Sequence, residues 1–373
     1  MTFNHFIIFI FELFLNFSIV IPFYVFKDDE IRNRLLTGNS MTKISNRDLY
    51  MVNYTNDYYL EDLLKTGGKD ITSLYTYAFS RFGTIYNFKP TKSLFDLFAC
   101  SAFNVHNPAN QNLFGRNFDF PFTPSFIVWT QPKNGYKSIS FVLGGLLGML
   151  DETDIDKDKL LLLPYSPLDG LNEHGLGMSV LVAGHYENIH QQNPYKLDIT
   201  TAIMIRAVLD TCKTTQEAID LFKEYNMHEP YPGFNFHFFI TDKEGNSAII
   251  EYLGEEMKVY RNNEFNYTKY LYLTNFYISK PVDEVNSGGL DRYEILKAKL
   301  KNDELTMNWE EAMTLLYNVS KTREKSPKSP TVWSNVYNTE DLNLVNAYKL
   351  DYQHLYKFNV LQPMNYTEIA GIL

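Results

Sequence analysis

Beyond Phe95 the apolar pattern of this chain changes period four times, and that order narrows the folds open to it. Short alternating runs come first, at 99–105, 113–118, 126–131, 138–143 and 175–182, parted by Asn107-Pro108, Pro121 to Pro124 and Lys133-Asn134-Gly135. Helical spacing follows at 199–209, and Thr214 or Thr215 with Glu217 opens a second helix to Tyr225. Strand character resumes at 235–241, 247–252, 258–261 and 270–275, and Gly245 suits the turn between the first two. Helices are expected at 290–300 and 309–319, then strands at 331–337, 342–350 and 355–360. Strands, two helices, strands, two helices, strands is neither simple alternation nor an all-β pattern. An α+β fold of two antiparallel sheets, each covered by a helical layer, accounts for it best.

The chain can fill such a core. Hydrophobic residues are 45% and charged residues 21%, unlike a disordered chain. The formal charge of −10 argues against nucleic acid, which needs a basic face. Residues 6–26 are apolar except for Glu12, Asn16, Ser18 and Pro22, with no Lys or Arg before them. This reads as an imperfect signal peptide or a membrane anchor of about 20 residues, so entry to the secretory route is expected, with membrane contact through 6–26. Sequons at Asn53, Asn266, Asn318 and Asn365, besides Asn16, agree weakly with it. The segment from Lys27 to about Lys92 has mixed texture, with one short helix expected around Tyr58 to Lys65 and ended by Gly67-Gly68. The stretch 151–159 is charged and reads as a solvated loop.

The chemistry is concentrated in residues 98–120. A strand beginning at Cys100 is followed by a return strand carrying Arg116 and Asp119. A hairpin brings such residues side by side. A guanidinium favours the reactive thiolate over a thiol whose ordinary pKa is about 8.5. If Cys100 headed its own chain, its α-amine, with a reference pKa of about 7.7–8.0, would serve as base, and Asp119 would orient it. By residue type alone, a Cys near an Arg and an Asp more often reads as packing beside a surface ion pair. Cys212, after an apolar helical run, reads as packing.

The window Phe114-Gly115-Arg116-Asn117-Phe118-Asp119 after Cys100 resembles the choloylglycine hydrolase family and its relatives penicillin V acylase, acid ceramidase and N-acylethanolamine acid amidase. Asn172-Glu173-His174-Gly175-Leu176, Leu273-Thr274-Asn275, Asp291-Arg292-Tyr293 and the run from Thr331 to Tyr337 continue the likeness in family order. The resemblance implies an N-terminal-nucleophile hydrolase with a four-layer αββα sandwich. It implies Cys100 as nucleophile, Arg116 and Arg292 as charge stabilisers, Asp119 as holder of the amine and Asn275 as oxyanion donor. It also implies self-cleavage at Ala99–Cys100, dividing the chain into a signal or anchor (1–26), a leader (27–99) and a catalytic domain (100–373). The expected partner is a small N-acyl amide, with no cofactor and no metal; the oligomeric state stays open. One departure stands out. Bile salt hydrolases carry a second Asn where this chain has Val182, so either a backbone N–H substitutes for it or Asn275 acts alone, and the case for conjugated bile acids as substrate is weakened.

The remaining candidates are weaker. His106, His174, His185, His190, His228 and His237 show no ligand spacing such as His-Glu-x-x-His, and no papain-type signature surrounds Cys100 to support a Cys–His pair. Gly144-Gly145-Leu-Leu-Gly148 lacks the ending of a phosphate loop and reads as a turn near the pocket. Phe118, Phe120, Phe122 and Trp129 are candidates to line an apolar acyl pocket. Two other functions fit the same residues: acyl transfer to an amine, or lipid binding without catalysis.

Overall fold

The structure, a computed structural model, describes residues 28–82, 98–184, 186–230, 233–264, 268–284 and 286–373. The apolar run 6–26, Asn16, His185 and Asn266 lie outside the described residues. Helix α1 (Asp28–Ser40), strands β1 (Thr42–Lys43) and β2 (Leu49–Tyr54), and helices α2 (Leu60–Thr66) and α3 (Ile71–Phe82) precede the hairpin of β3 (Ala99–His106) and β4 (Asn112–Asp119). Strands β5 (Ser125–Thr130), β6 (Ser138–Leu143), β7 (Asp169–Asn172), β8 (Gly177–Gly184) and β9 (Leu197–Thr200) follow. Helices α4 (Thr201–Thr211) and α5 (Thr215–Glu224) lead into β10 (Tyr225–His228), β11 (Asn235–Thr241), β12 (Ser247–Leu253), β13 (Glu256–Arg261) and β14 (Tyr272–Leu273). Helices α6 (Leu290–Leu300) and α7 (Trp309–Asn318) lead to β15 (Thr331–Asn338), β16 (Asn343–Tyr348), β17 (Asp351–Asn359) and β18 (Tyr366–Ala370).

Two large sheets result. One has nine strands in the order β1-β2-β5-β6-β7-β8-β11-β12-β13, and the other seven in the order β14-β3-β4-β15-β16-β17-β18. Helices α4 and α5 cover the first, and α6 and α7 the second, which gives the four αββα layers. The strand period of two explains how one strand serves two layers. On β4, Phe114 and Phe118 enter the core between the sheets, while Leu113 enters the core beneath α6 and α7. On β3, Cys100 and Ala102 face between the sheets, and Phe103 and Val105 face the helices. Local signals fix the helix starts. Thr214 Oγ1 caps α5 at the Glu217 N–H, and Asn308 and Glu311 form a reciprocal cap on α7.

Pairing is antiparallel within both large sheets except at one place, where β2 runs parallel to β5. The segment 28–82 is therefore built into the nine-stranded sheet. Its contacts reach further. The Ser125 N–H donates to the Asp48 carbonyl, Tyr58 Oη donates to Asp210, and ion pairs join Asp48 to Lys349 and Arg47 to Asp351. The run 151–159 is mostly exposed, with a short 3-10 turn at Glu152–Asp154. The strand expected at 270–275 pairs only at Tyr272–Leu273, because the chain turns at Asn275, whose N–H donates to the Gly288 carbonyl. The sequons at Asn318 and Asn365 are exposed, and Asn53 is half-buried within β2. Among the described residues no helix is long and apolar enough to cross a membrane.

Candidate active site

Cys100 is the second residue of β3 and is paired with Phe118, while Ala99 is paired with Asp119 and Ala102 with Arg116. The alternation of β4 sends Arg116 between the sheets, on the side of the Cys100 thiol, and sends Asp119 to the helical side, where α6 delivers Arg292. The five residues expected from the sequence thus gather at one end of the β3–β4 hairpin.

Arg292 is the hub. Its Nη1 donates to the Cys100 carbonyl at 2.6 Å, to Ser101 Oγ at 3.0 Å and to Asp119 Oδ2 at 3.2 Å, and its Nη2 donates to Asn275 Oδ1 at 2.8 Å. The Cys100 N–H donates to the same Asn275 oxygen at 2.7 Å. With Oδ1 claimed by two donors, the Asn275 amide turns its NH2 to the Val182 carbonyl at 2.9 Å. Asp119 also accepts from Thr331 Oγ1 at 2.6 Å. Arg116 is fully buried. Its Nη2 donates to the Val180 carbonyl at 2.7 Å and its Nη1 to the Asn117 carbonyl at 3.0 Å.

Burial sets the charge states. It pushes the Cys100 thiol above its usual range; Arg116 pulls it back by charge and by a hydrogen bond, and Asp119 adds to the rise. In the intact chain burial therefore outweighs the activation expected from Arg116. Burial also raises the Asp119 carboxyl, against Arg292 and Thr331. Three further participants have no role assigned by the sequence motifs. Ser101 and Thr331 are common residue types whose contacts arise only in the fold. Lys321, half-buried, has its ammonium lowered by burial, with Asp119 acting the other way. A lone Lys in the basic stretch 321–328 gives no signal of this.

The other candidates separate from the site. Cys212 is buried at the end of α4, and burial pushes its thiol up to about 12. Both ring nitrogens of His237 are engaged, one by Glu251 and one by the Thr274 carbonyl, and His228 meets Asp198. Trp129 does not adjoin Cys100's aromatic neighbours; its Nε1 donates to the Asn359 carbonyl and its ring packs on Phe358, because β5 lies across from β17. Phe122 lies beneath Arg323 and Lys349. Phe118 and Phe120 do adjoin the site, and Phe98 rests on them with ring centroids at 5.7 and 4.4 Å. The Gly-rich stretch is a short 3-10 turn at Gly144–Leu147.

Residues 100–293, just over half of the chain, match the model of the linear amide C–N hydrolases, choloylglycine hydrolase family. The chain belongs to the choloylglycine hydrolase family. The model describes members of this family as linear amide C–N hydrolases. An uncharacterized protein of Paramecium bursaria Chlorella virus 1 is 33% identical over 101 residues, which are 26% of this chain and 36% of that protein. The chain thus spans about a third of the length of the curated relative it matches. Among solved structures, a mutant conjugated bile acid hydrolase from Clostridium perfringens is 18% identical, with a TM-score of 0.49 over 73% of this chain and 92% of that one. Penicillin V acylase from Agrobacterium tumefaciens is 17% identical, with a TM-score of 0.46 over 73% and 86%. A Caenorhabditis elegans ortholog of N-acylethanolamine-hydrolyzing acid amidase is 16% identical, with a TM-score of 0.41 over 64% and 93%.

Proposed function

We propose that this protein hydrolyses N-acylated small molecules or lipids with Cys100 as nucleophile, after breaking its own chain between Ala99 and Cys100. The observation that carries this is the grip on the backbone at Cys100. Its nitrogen is held by Asn275 and its carbonyl by Arg292, in a fully buried setting. A thiol used only for packing has no need of its own main chain being fixed by an Arg and an Asn from distant segments.

In the self-cleavage step the Cys100 sulfur bonds to the Ala99 carbonyl carbon, and the carbon–nitrogen bond breaks. The thiol's proton passes to the nitrogen, which becomes the free α-amine. Water then splits the thioester, leaving a carboxyl on Ala99 and the thiol on Cys100. In turnover the amine takes the thiol proton, and the thiolate attacks the substrate carbonyl. Donors from Asn275 and the backbone at Val182 hold the oxyanion, a task worth on the order of 3 kcal/mol per donor elsewhere. The strand register supports that assignment. Val180 N–H points away from β11 to the Leu168 carbonyl, so Val182, two residues on, presents its N–H on the same side. The proton passes to the leaving nitrogen, the amine departs, and water hydrolyses the acyl-thioester.

The intact chain also carries a pointer to the acyl group. The thioester of self-cleavage and that of turnover share one chemistry, so the residues before Cys100 lie where an acyl group would. There Phe98 packs against Phe118, Phe120 and Phe236. An apolar acyl chain or ring fits such surroundings. We further propose entry to the secretory route through 6–26.

The test is the intact mass of purified protein, sequencing of fragment ends, and turnover on N-acylethanolamines, N-acyl amino acids, ceramides, penicillin V and glycine-conjugated bile acids. A new terminus at Cys100 with turnover on at least one amide is expected. Turnover by protein with an unbroken 99–100 link would overturn the mechanism.

A further inference from the structure

Arg116 cannot shed its charge, since a guanidinium stays protonated in proteins, so its burial demands a counter-ion. Asp119 does not fill that place, because it lies on the other face of β4 and is taken by Arg292. The acid that faces Arg116 comes from the opposite sheet. Asp169, the first residue of β7, is fully buried with its Oδ2 at 3.6 Å from Arg116 Nε, and that Nε has no hydrogen-bond partner. The carboxylate is itself clamped by β15. Trp333 Nε1 donates at 2.8 Å, Asn335 Nδ2 at 3.0 Å, and the Tyr337 hydroxyl also donates. These three side chains alternate along β15, so all project between the sheets toward β7.

We propose that Asp169 is the positioning residue of the site: as the counter-ion supplied by the facing sheet, it holds the Arg116 guanidinium beside Cys100. Arg116 stands between a thiol and a carboxylate. On one side it lowers the Cys100 thiol by charge and by a hydrogen bond, and on the other it meets Asp169. Two carbonyls, of Asn117 and Val180, also bind it. Carbonyl dipoles fix direction without cancelling charge. Without Asp169 the cation would be buried and uncompensated, and it would shift toward water and away from the thiol. Asp169 acts through Arg116.

The test reads the thiol directly. In a Cys212→Ser background with cysteine labelled at carbon β, an NMR titration gives the pH midpoint of Cys100, in samples matched for processing by intact mass. Arg116→Met should raise that midpoint by about one to three pH units when Asp169 is present. In an Asp169→Asn background, the same Arg116→Met change should move it by less than about a third of that, the non-additivity expected of residues acting as one unit. An equal or larger effect of Arg116→Met in the Asp169→Asn background would overturn the proposal, since Asp169 would then merely neutralise charge. If Asp169→Asn is not recovered folded, the pair Trp333→Phe and Tyr337→Phe takes its place. It loosens the carboxylate while keeping its charge, and an undiminished Arg116 effect there overturns the proposal likewise. The inference builds on the proposed role of Cys100, but the titration needs no turnover. Absence of amide hydrolysis with intact coupling would remove the proposed function and leave the role of Asp169 standing.

Discussion

The nitrogen of Cys100 donates to Asn275 Oδ1 at 2.7 Å, across 175 residues of chain. That contact decides which way the Asn275 amide faces. Its oxygen serves the nitrogen of residue 100 and Arg292, and its NH2 points along β8. One amide can therefore hold the future amine and contribute a second N–H to an oxyanion. Replacing Asn275 by Ala should slow both self-cleavage and turnover, by about 10²–10³ in kcat for a lost oxyanion donor. Single-turnover rates and the fraction of cut chain would check this, and undiminished rates would end the assignment.

Cys100→Ala should leave one uncut chain with no amide turnover. Its thermal midpoint should stay near that of the intact protein, because removing a sulfur from this position costs less than removing a large core side chain. Mass spectrometry and the substrate panel give the answer. A fragment starting at residue 100 in this variant would point to cleavage by another protease.

Arg292→Met isolates Asp119. Breaking a buried ion pair by removing one partner costs about 3–5 kcal/mol. The pH dependence has a definite sign. Burial already raises the Asp119 carboxyl, and loss of Arg292, the leading opposing cause, raises it further. The folded state then holds a proton that the unfolded state releases at ordinary carboxylate pH. The deficit should be small below that range and should grow as pH rises through the folded-state value. Urea denaturation at acidic and at mildly alkaline pH tests it; a deficit that shrinks on raising pH contradicts the pairing.

Phe98→Ala should destabilise the uncut chain by about 3 kcal/mol or more, the scale of losing a buried aromatic ring. The same change should leave kcat/KM of the cut enzyme within about twofold, since Phe98 then lies at a new chain end, free to yield its place to the acyl group. Denaturation of a Cys100→Ala, Phe98→Ala double variant, compared with Cys100→Ala alone, separates the first effect from processing.

Alkylation should spare both thiols of the native uncut protein near neutral pH. The Cys212 thiol, pushed up to about 12, should react only on unfolding, whereas Cys100 should be labelled once the chain is cut. Mass mapping of labelled peptides follows the order. Prior labelling of Cys212 would be the contrary result.

The sequence discloses elements whose period and boundaries coincide. The runs at Ser138–Leu143, Asn235–Thr241 and Leu290–Leu300 are legible to the residue, because alternation or helical spacing stops at turn residues on both sides. Strand β2 is hidden in Leu-Tyr-Met-Val-Asn-Tyr, a nearly continuous apolar run whose near partner, β1, is only two residues long; its longer mate, β5, lies some seventy residues on. Helix α3 is hidden by its β-branched start and its aromatics, and is held by packing. At the site, Cys100, Arg116, Asp119, Asn275 and Arg292 are legible because their short motifs recur in order. Asp169 is not, because it acts across the gap between the sheets, and Thr331, the cross-strand neighbour of Asp119, is legible only as a strand residue. The only sign of Asp169 was an acid standing just ahead of Asn172-Glu173.

The parallel seam between β2 and β5 carries a consequence for any attempt to make residues 100–373 by themselves. A parallel neighbour cannot be replaced by a local hairpin. Without it, β5 would present an open row of main-chain donors and acceptors flanked by Phe126, Val128 and Trp129, an invitation to stray partners. The first segment thus acts as a stitched-in lining, not as packaging to be thrown away. A scissile link at Ala99 would turn one polymer into two that still share a single interior, and only unfolding would part them.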